Sequence, residues 1–111
     1  MRLAVLTLAA YLFLLALATG TRAAVPSWPW LALARCETGA TWTWYNRTYE
    51  GAYGFTHAAW RQFRYPGYPS SANRATPAQQ TAGAARIQRA VGWGAWPACS
   101  IRLGVRGARP P

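Results

Sequence analysis

The sequence predicts a small, mainly α domain of the α+β type, with a short irregular or β element between its first two helices. Three observations predict it. Three helical runs carry recognisable start or stop signals, two before residue 64 and one after residue 75. Between the first two lies residues 41–54, rich in Trp and Tyr and without helical period. Two cysteines, Cys36 and Cys99, stand near opposite ends of the domain, where a disulfide would close most of it into one loop.

The elements follow in order. Residues 1–18 read as a signal peptide. Arg2 supplies the positive start, residues 3–18 form an apolar run without charge, and Ala16-Leu17-Ala18 is a small-x-small cleavage site. Thr21-Arg22-Ala23 is a second site, so cleavage can fall as late as residue 24. The run is short for a membrane span of roughly 20 residues, which leaves a retained anchor as the less favoured alternative. The domain then occupies residues 27–105. Ser27 is positioned to cap a first helix, with Pro29 in its first turn, where a missing N–H does no harm. That helix runs through Trp30, Leu31, Leu33, Ala34 and Cys36 and stops at Thr38-Gly39, with Gly39 suited to a left-handed C-terminal cap. Thr56 caps a second helix that ends at Phe63. Thr76-Pro-Ala-Gln79 is a capping box with Pro at the first helical position, and it starts a third helix reaching Val91. Gly83 inside that helix marks either a mild defect or a close approach. Trp30, Trp93 and Trp96 are assigned to the core. The chain from Arg102 onward is basic and rich in Gly and Pro and reads as disordered, with residues 106–111 as a tail.

The charge is lopsided. The 111 residues hold 12 Lys+Arg, all of them Arg, against 2 Asp+Glu, both of them Glu, for a formal net charge of +10. Such a chain seeks anionic surfaces. A secretory signal argues against an intracellular nucleic-acid partner. It also implies an oxidising destination, which favours pairing Cys36 with Cys99 over two free buried thiols. After signal removal about 90 residues remain, a size at which one hydrophobic core is marginal and a disulfide helps.

Scarcity excludes several chemistries. With one His and no Asp, a Ser-His-Asp triad cannot form, and no G-x-S-x-G elbow is present to pair with a Glu. Cys36, Cys99 and His57 match no metal-binding spacing, and no phosphate-binding glycine loop occurs. His57 reads as a surface or capping residue of the second helix. The carboxylates remain. Glycosidic cleavage needs a proton on the leaving oxygen, which a carboxyl kept neutral near working pH can supply. Glu37 falls in the last turn of an aromatic helix, between Trp30, Leu33 and Trp42 in the chain. Apolar surroundings and the negative end of the helix dipole both favour its neutral form. Arg35 and the other arginines oppose this, and a surface salt bridge to an arginine is the competing reading of Glu37.

The segment Trp30-Leu-Ala-Leu-Ala-Arg-Cys-Glu-Thr-Gly-Ala-Thr-Trp42 resembles the opening motif of the resuscitation-promoting-factor catalytic domain, also called the transglycosylase-like domain, which runs W-x-x-(L/I)-A-x-C-E-(S/T)-G-G-x-W. Tyr49-Glu-Gly-Ala-Tyr-Gly-Phe55 followed by Trp60 resembles that family's Y-x-G-G-L-Q-F-x-x-x-x-W. A third block, Ala75-Thr-Pro-Ala-Gln-Gln80 with Trp93-Gly-Ala-Trp-Pro-Ala-Cys-Ser100 and Leu103-Gly104, resembles its A-(S/T)-x-x-Q-Q and G-W-x-x-W-P-x-C-S-x-x-L-G ending. The three blocks span nearly the whole domain, in order.

The resemblance implies a compact lysozyme-like fold, a Cys36–Cys99 disulfide, and Glu37 as the catalytic acid acting on the β-1,4 bond between N-acetylmuramic acid and N-acetylglucosamine. Trp42, Tyr49, Tyr53, Thr56 and Trp60 are the candidate substrate contacts, although core packing competes as a role for Trp42 and Trp60. Glu50 is taken as structural. The implied partners are peptidoglycan glycan strands, with anionic wall polymers and a partner wall hydrolase as further candidates. The protein is read as a monomer with no cofactor, no metal and no nucleic-acid partner, secreted or cell-wall-associated. An inactive wall-binding protein and a cationic antimicrobial or nucleic-acid-binding protein are the competing functions. Two departures from the family pattern bear on the groove. Gly54 stands where the family has Gln, and residues 43–48 carry Trp44, Tyr45 and Arg47 in place of an Asn/Gly-rich turn.

Overall fold

The computed structural model describes residues 25–106; the signal segment and residues 107–111 of the predicted tail lie outside the described residues. Four α-helices and one two-stranded sheet make up the domain: α1 (Trp30–Thr38), β1 (Tyr49–Glu50), β2 (Phe55–Thr56), α2 (His57–Phe63), α3 (Pro77–Val91) and α4 (Pro97–Arg102). Short 3₁₀ turns at Ala72–Arg74 and Trp93–Ala95 flank α3. The mainly helical architecture and the position of the β element agree with the sequence prediction. No helix among the described residues is long and apolar enough to cross a membrane.

The helix boundaries follow local chemistry. α1 ends as expected at Gly39, which takes a left-handed conformation at φ 68° and donates its N–H to Arg35 O. Its start differs from prediction. Pro29 occupies the cap position itself, and Ser27 contributes its carbonyl rather than its hydroxyl, accepting from Trp30 N–H at 2.8 Å. Thr56 caps α2 by accepting from Ala59 N–H, and the capping box at Thr76 and Gln79 closes in both directions. α4 was absent from the sequence reading. It opens on Pro97 at its first position, but six residues are too few to display a period. The chain beyond it is ordered as far as Arg106, contrary to the expectation of disorder from Arg102. The Ser100 carbonyl accepts from the N–H groups of both Val105 and Arg106, each at 3.2 Å, which folds the segment back over the end of α4.

The core gathers Leu33 and Ala34 of α1, Tyr53 and Phe55 of the hairpin, Trp60 of α2, Ala84 and Ile87 of α3, and Trp96 with Cys99. Two features fix its geometry. Gly83 lets α3 approach α2 closely: a Cβ there would lie 2.7 Å from Trp60 Cζ3, so the glycine is a packing device and not a defect. Gln80, fully buried, accepts from Ala52 N–H and donates to the carbonyls of Trp42 and Ala75, tying α3 to the irregular segment. The Cys36–Cys99 disulfide joins α1 to α4 across 63 residues of sequence, as predicted. Trp30, Trp93 and Trp96 form one aromatic group, with Trp30 and Trp93 ring centroids 5.1 Å apart, although only Trp96 of the three is buried.

Candidate active site

A cleft of about 320 Å³ opens between the C-terminal end of α1, the irregular segment with its hairpin, and the start of α4. Glu37 and Thr38 line it from α1, Trp44, Tyr49 and Gly54 from the hairpin region, and Ala95, Trp96 and Pro97 from the other side. Glu37 is half-buried. Thr38 beside it is committed to the scaffold, donating to Ala52 O at 2.7 Å and accepting from Thr41 N–H.

The two carboxylates have opposite surroundings. Glu50 is buried, and both its oxygens are occupied. Oε1 accepts from Ala72 N–H at 2.9 Å, and Oε2 lies 2.6 Å from His57 Nδ1 and accepts from Ser71 Oγ. This structural role is the one expected for Glu50. The other ring nitrogen of His57, Nε2, lies 3.0 Å from Arg47 O. Both nitrogens therefore face oxygen acceptors, an arrangement that favours the doubly protonated ring. The Glu50 hydrogen bond raises the His57 imidazole above its ordinary 6.5, against the smaller opposing effect of burial.

Glu37 has no such partner. The ion pair His57–Glu50 is the only one among the described residues, so the arginines nearby in sequence do not neutralise Glu37. Burial without a counter-charge pushes its carboxyl above the ordinary 4.5. Among the described residues, no arginine forms the competing salt bridge to Glu37.

The five predicted substrate contacts separate. Tyr49 lines the cleft and is 44% exposed. Tyr53 and Trp60 are fully buried and present no ring face to a ligand: the Tyr53 hydroxyl pairs with Thr81, and Trp60 Nε1 donates to Pro69 O. Trp42 is half-buried edge-on against Tyr53 and does not line the cleft. Thr56 is exposed, but its hydroxyl is engaged as the cap of α2.

Residues 24–99 match the transglycosylase-like domain family. The chain belongs to that family. The transglycosylase-like domain here is 38% identical over 86 residues to the resuscitation-promoting factor Rpf1 of Corynebacterium glutamicum, covering 77% of this chain and 45% of that protein. It is 40% identical over 79 residues to the resuscitation-promoting factor of Micrococcus luteus, covering 68% of this chain and 33% of that one. With RpfC of Mycobacterium tuberculosis the identity is 37% over 94 residues, covering 82% and 64%. The chain thus spans less than two thirds of each of these relatives. The resemblance drawn from the three motif blocks is confirmed, and the C-E pair of the domain is the one whose carboxylate faces the cleft.

Sequence reasoning missed Thr38, Ala95 and Pro97 as cleft residues and Gln80 as a buried tie. The capping-box spacing marked Gln79 of the family's Q-Q pair, but nothing local shows that Gln80 is buried, since its partners Trp42 and Ala52 are distant in the chain. Trp44 stood out as a departure from the family pattern in the groove segment but was not among the five candidate substrate contacts.

Proposed function

We propose that this transglycosylase-like domain is a secreted glycosidase that cleaves the glycan of bacterial peptidoglycan at the β-1,4 bond between N-acetylmuramic acid and N-acetylglucosamine, with Glu37 as general acid and then base. The observation that carries the reading is the half-buried Glu37 carboxyl, without a counter-ion among the described residues, on the wall of an aromatic cleft. Such a carboxyl keeps its proton to higher pH and can deliver it to the glycosidic oxygen as the oxocarbenium-like state develops. Family membership and the relatives named as resuscitation-promoting factors support the choice of substrate class.

The chain has two acidic side chains, and Glu50 is buried and fully engaged away from the cleft lining, so no second carboxylate serves as nucleophile. The substrate then supplies the attacking atom, either its N-acetyl oxygen or its own C6 hydroxyl, while Glu37 takes back a proton. The C6 route leaves a 1,6-anhydro end and makes the enzyme a lytic transglycosylase; the other route, completed by water, leaves a reducing end. Incubation of purified peptidoglycan with wild type and Glu37→Gln, read by mass spectrometry, tests the proposal. The expected result is release of muropeptides by wild type and a loss of about 10²–10⁴-fold in the variant. Equal release by both removes Glu37 from the mechanism, and the mass of the product end separates the two routes.

One observation favours a second reading, a wall-binding domain without activity: Gly54 leaves the cleft without the polar side chain that the family motif supplies there. That reading predicts retention on insoluble peptidoglycan with no soluble fragments released.

A further inference from the structure

We infer that Trp44 is a specificity-determining residue, forming with Tyr49 a stacking platform for the apolar face of one β-linked pyranose in the Glu37 cleft. The inference rests on the reading above only for the identity of the glycan being cut.

Three observations carry it. The first is exposure. Trp44 and Tyr49 line the cleft and are 41% and 44% exposed, whereas the other aromatic residue in the lining, Trp96, is buried, with its Nε1 donating to Tyr53 O. Neither exposed ring joins the ring–ring contacts that link Trp30, Tyr53, Trp93 and Trp96. The second is rigidity. Trp44 N–H donates to Thr41 O at 3.1 Å, and Trp44 O accepts from Gly51 N–H at 2.7 Å. Tyr49 N–H donates to Asn46 Oδ1 at 2.7 Å, and Tyr49 O accepts from Asn46 N–H at 2.9 Å. The His57 hydrogen bond to Arg47 O holds the intervening turn to α2. The rings therefore stand on a fixed backbone, and a ligand has only their side-chain torsions to order.

The third observation is the lining that the hairpin region adds to theirs. Gly54 has φ 62°, a conformation that disfavours any side chain, and a Cβ there would meet nothing within 4 Å. The cleft is open at that point and presents no side-chain hydrogen-bond donor or acceptor from it. Recognition shifts from a polar lining to aromatic faces. A pyranose with equatorial substituents presents axial C–H groups on its faces, and covering them with an indole removes apolar surface of both partners from water.

The test uses the intact chain and soluble, uncross-linked glycan strands, with wild type, Trp44→Ala, Trp44→Phe, and Trp28→Ala as an exposed aromatic outside the cleft lining. The expected result for Trp44→Ala is a KM raised by about tenfold or more, with kcat within about threefold of wild type and an unchanged Tm. Trp44→Phe recovers most of the loss, and Trp28→Ala matches wild type. A Trp44→Ala KM within twofold of wild type, or a raised KM that Phe does not restore, overturns the platform. Should wild type cleave nothing, the catalytic reading fails by itself. The platform is then decided by retention on insoluble peptidoglycan, where about tenfold weaker binding of Trp44→Ala supports it and equal binding overturns it.

Discussion

Glu37 and His57 are both shifted upward, Glu37 by burial alone and His57 mainly through its hydrogen bond to Glu50, with opposite consequences for charge. The native state holds the Glu37 proton more tightly than the unfolded chain does. Its ionisation above pH 4.5 therefore costs stability, progressively, until pH passes the folded value. Glu37→Gln removes that cost, so the variant has a Tm at neutral pH equal to or above that of wild type while losing activity, measured by thermal melts beside the release assay. His57 gains a charge partner on folding. Its contribution is fully present below pH 6.5 and is lost as pH rises through the higher folded value. His57→Ala consequently lowers Tm most in mildly acid buffer, and the gap to wild type narrows at alkaline pH, as melts across a pH series will read. A gap independent of pH contradicts the Glu50–His57 assignment. Glu37 was legible at this scale through the C-E position of the family motif, while its neighbours in the chain alone left a surface salt bridge as the competing role. The Glu50–His57 pair was not, since it crosses the hairpin and becomes adjacent only once β1 and β2 pair.

At the scale of elements, the features visible in the sequence are those set by neighbours in the chain. Thr56, Thr76 with Gln79, and Gly39 declared their helix ends because capping needs particular side chains within three or four residues. The faces of the aromatic residues in 41–54 were hidden, because an irregular segment has no period to divide buried from exposed. Tyr53 therefore went to the core and Trp44 to the cleft, against expectation for the first. The closeness of α2 and α3 at Gly83 yields a direct prediction. Gly83→Ala gains helix propensity of up to about 1 kcal/mol but drives a methyl into the Trp60 ring, and overpacking of this kind costs about 1–3 kcal/mol. A net loss in denaturant titration is expected, and a variant as stable as wild type contradicts the packing described.

For the whole molecule, the disulfide and the cleft that Glu37 lines depend on the same helices. Cys36 precedes Glu37 directly, so the bond to Cys99 fixes α1 against α4 beside the cleft that both helices line. Closing a loop of this length is worth about 4 kcal/mol in the chain-entropy model. Reduction is therefore expected to lower Tm sharply and to abolish glycan cleavage before the fold is fully lost, followed by melts and activity in parallel; full activity with both thiols free contradicts the coupling. The molecule's fold and family were readable from its three motif blocks, while the cleft itself was not, because residues distant in sequence assemble it. The most direct test of the account is titration of the Glu37 side-chain carboxyl by NMR in the intact domain. A midpoint above 4.5 that coincides with the loss of cleavage on raising pH is the predicted result. A midpoint at or below 4.5, or cleavage that continues unchanged after that carboxyl ionises, contradicts the account.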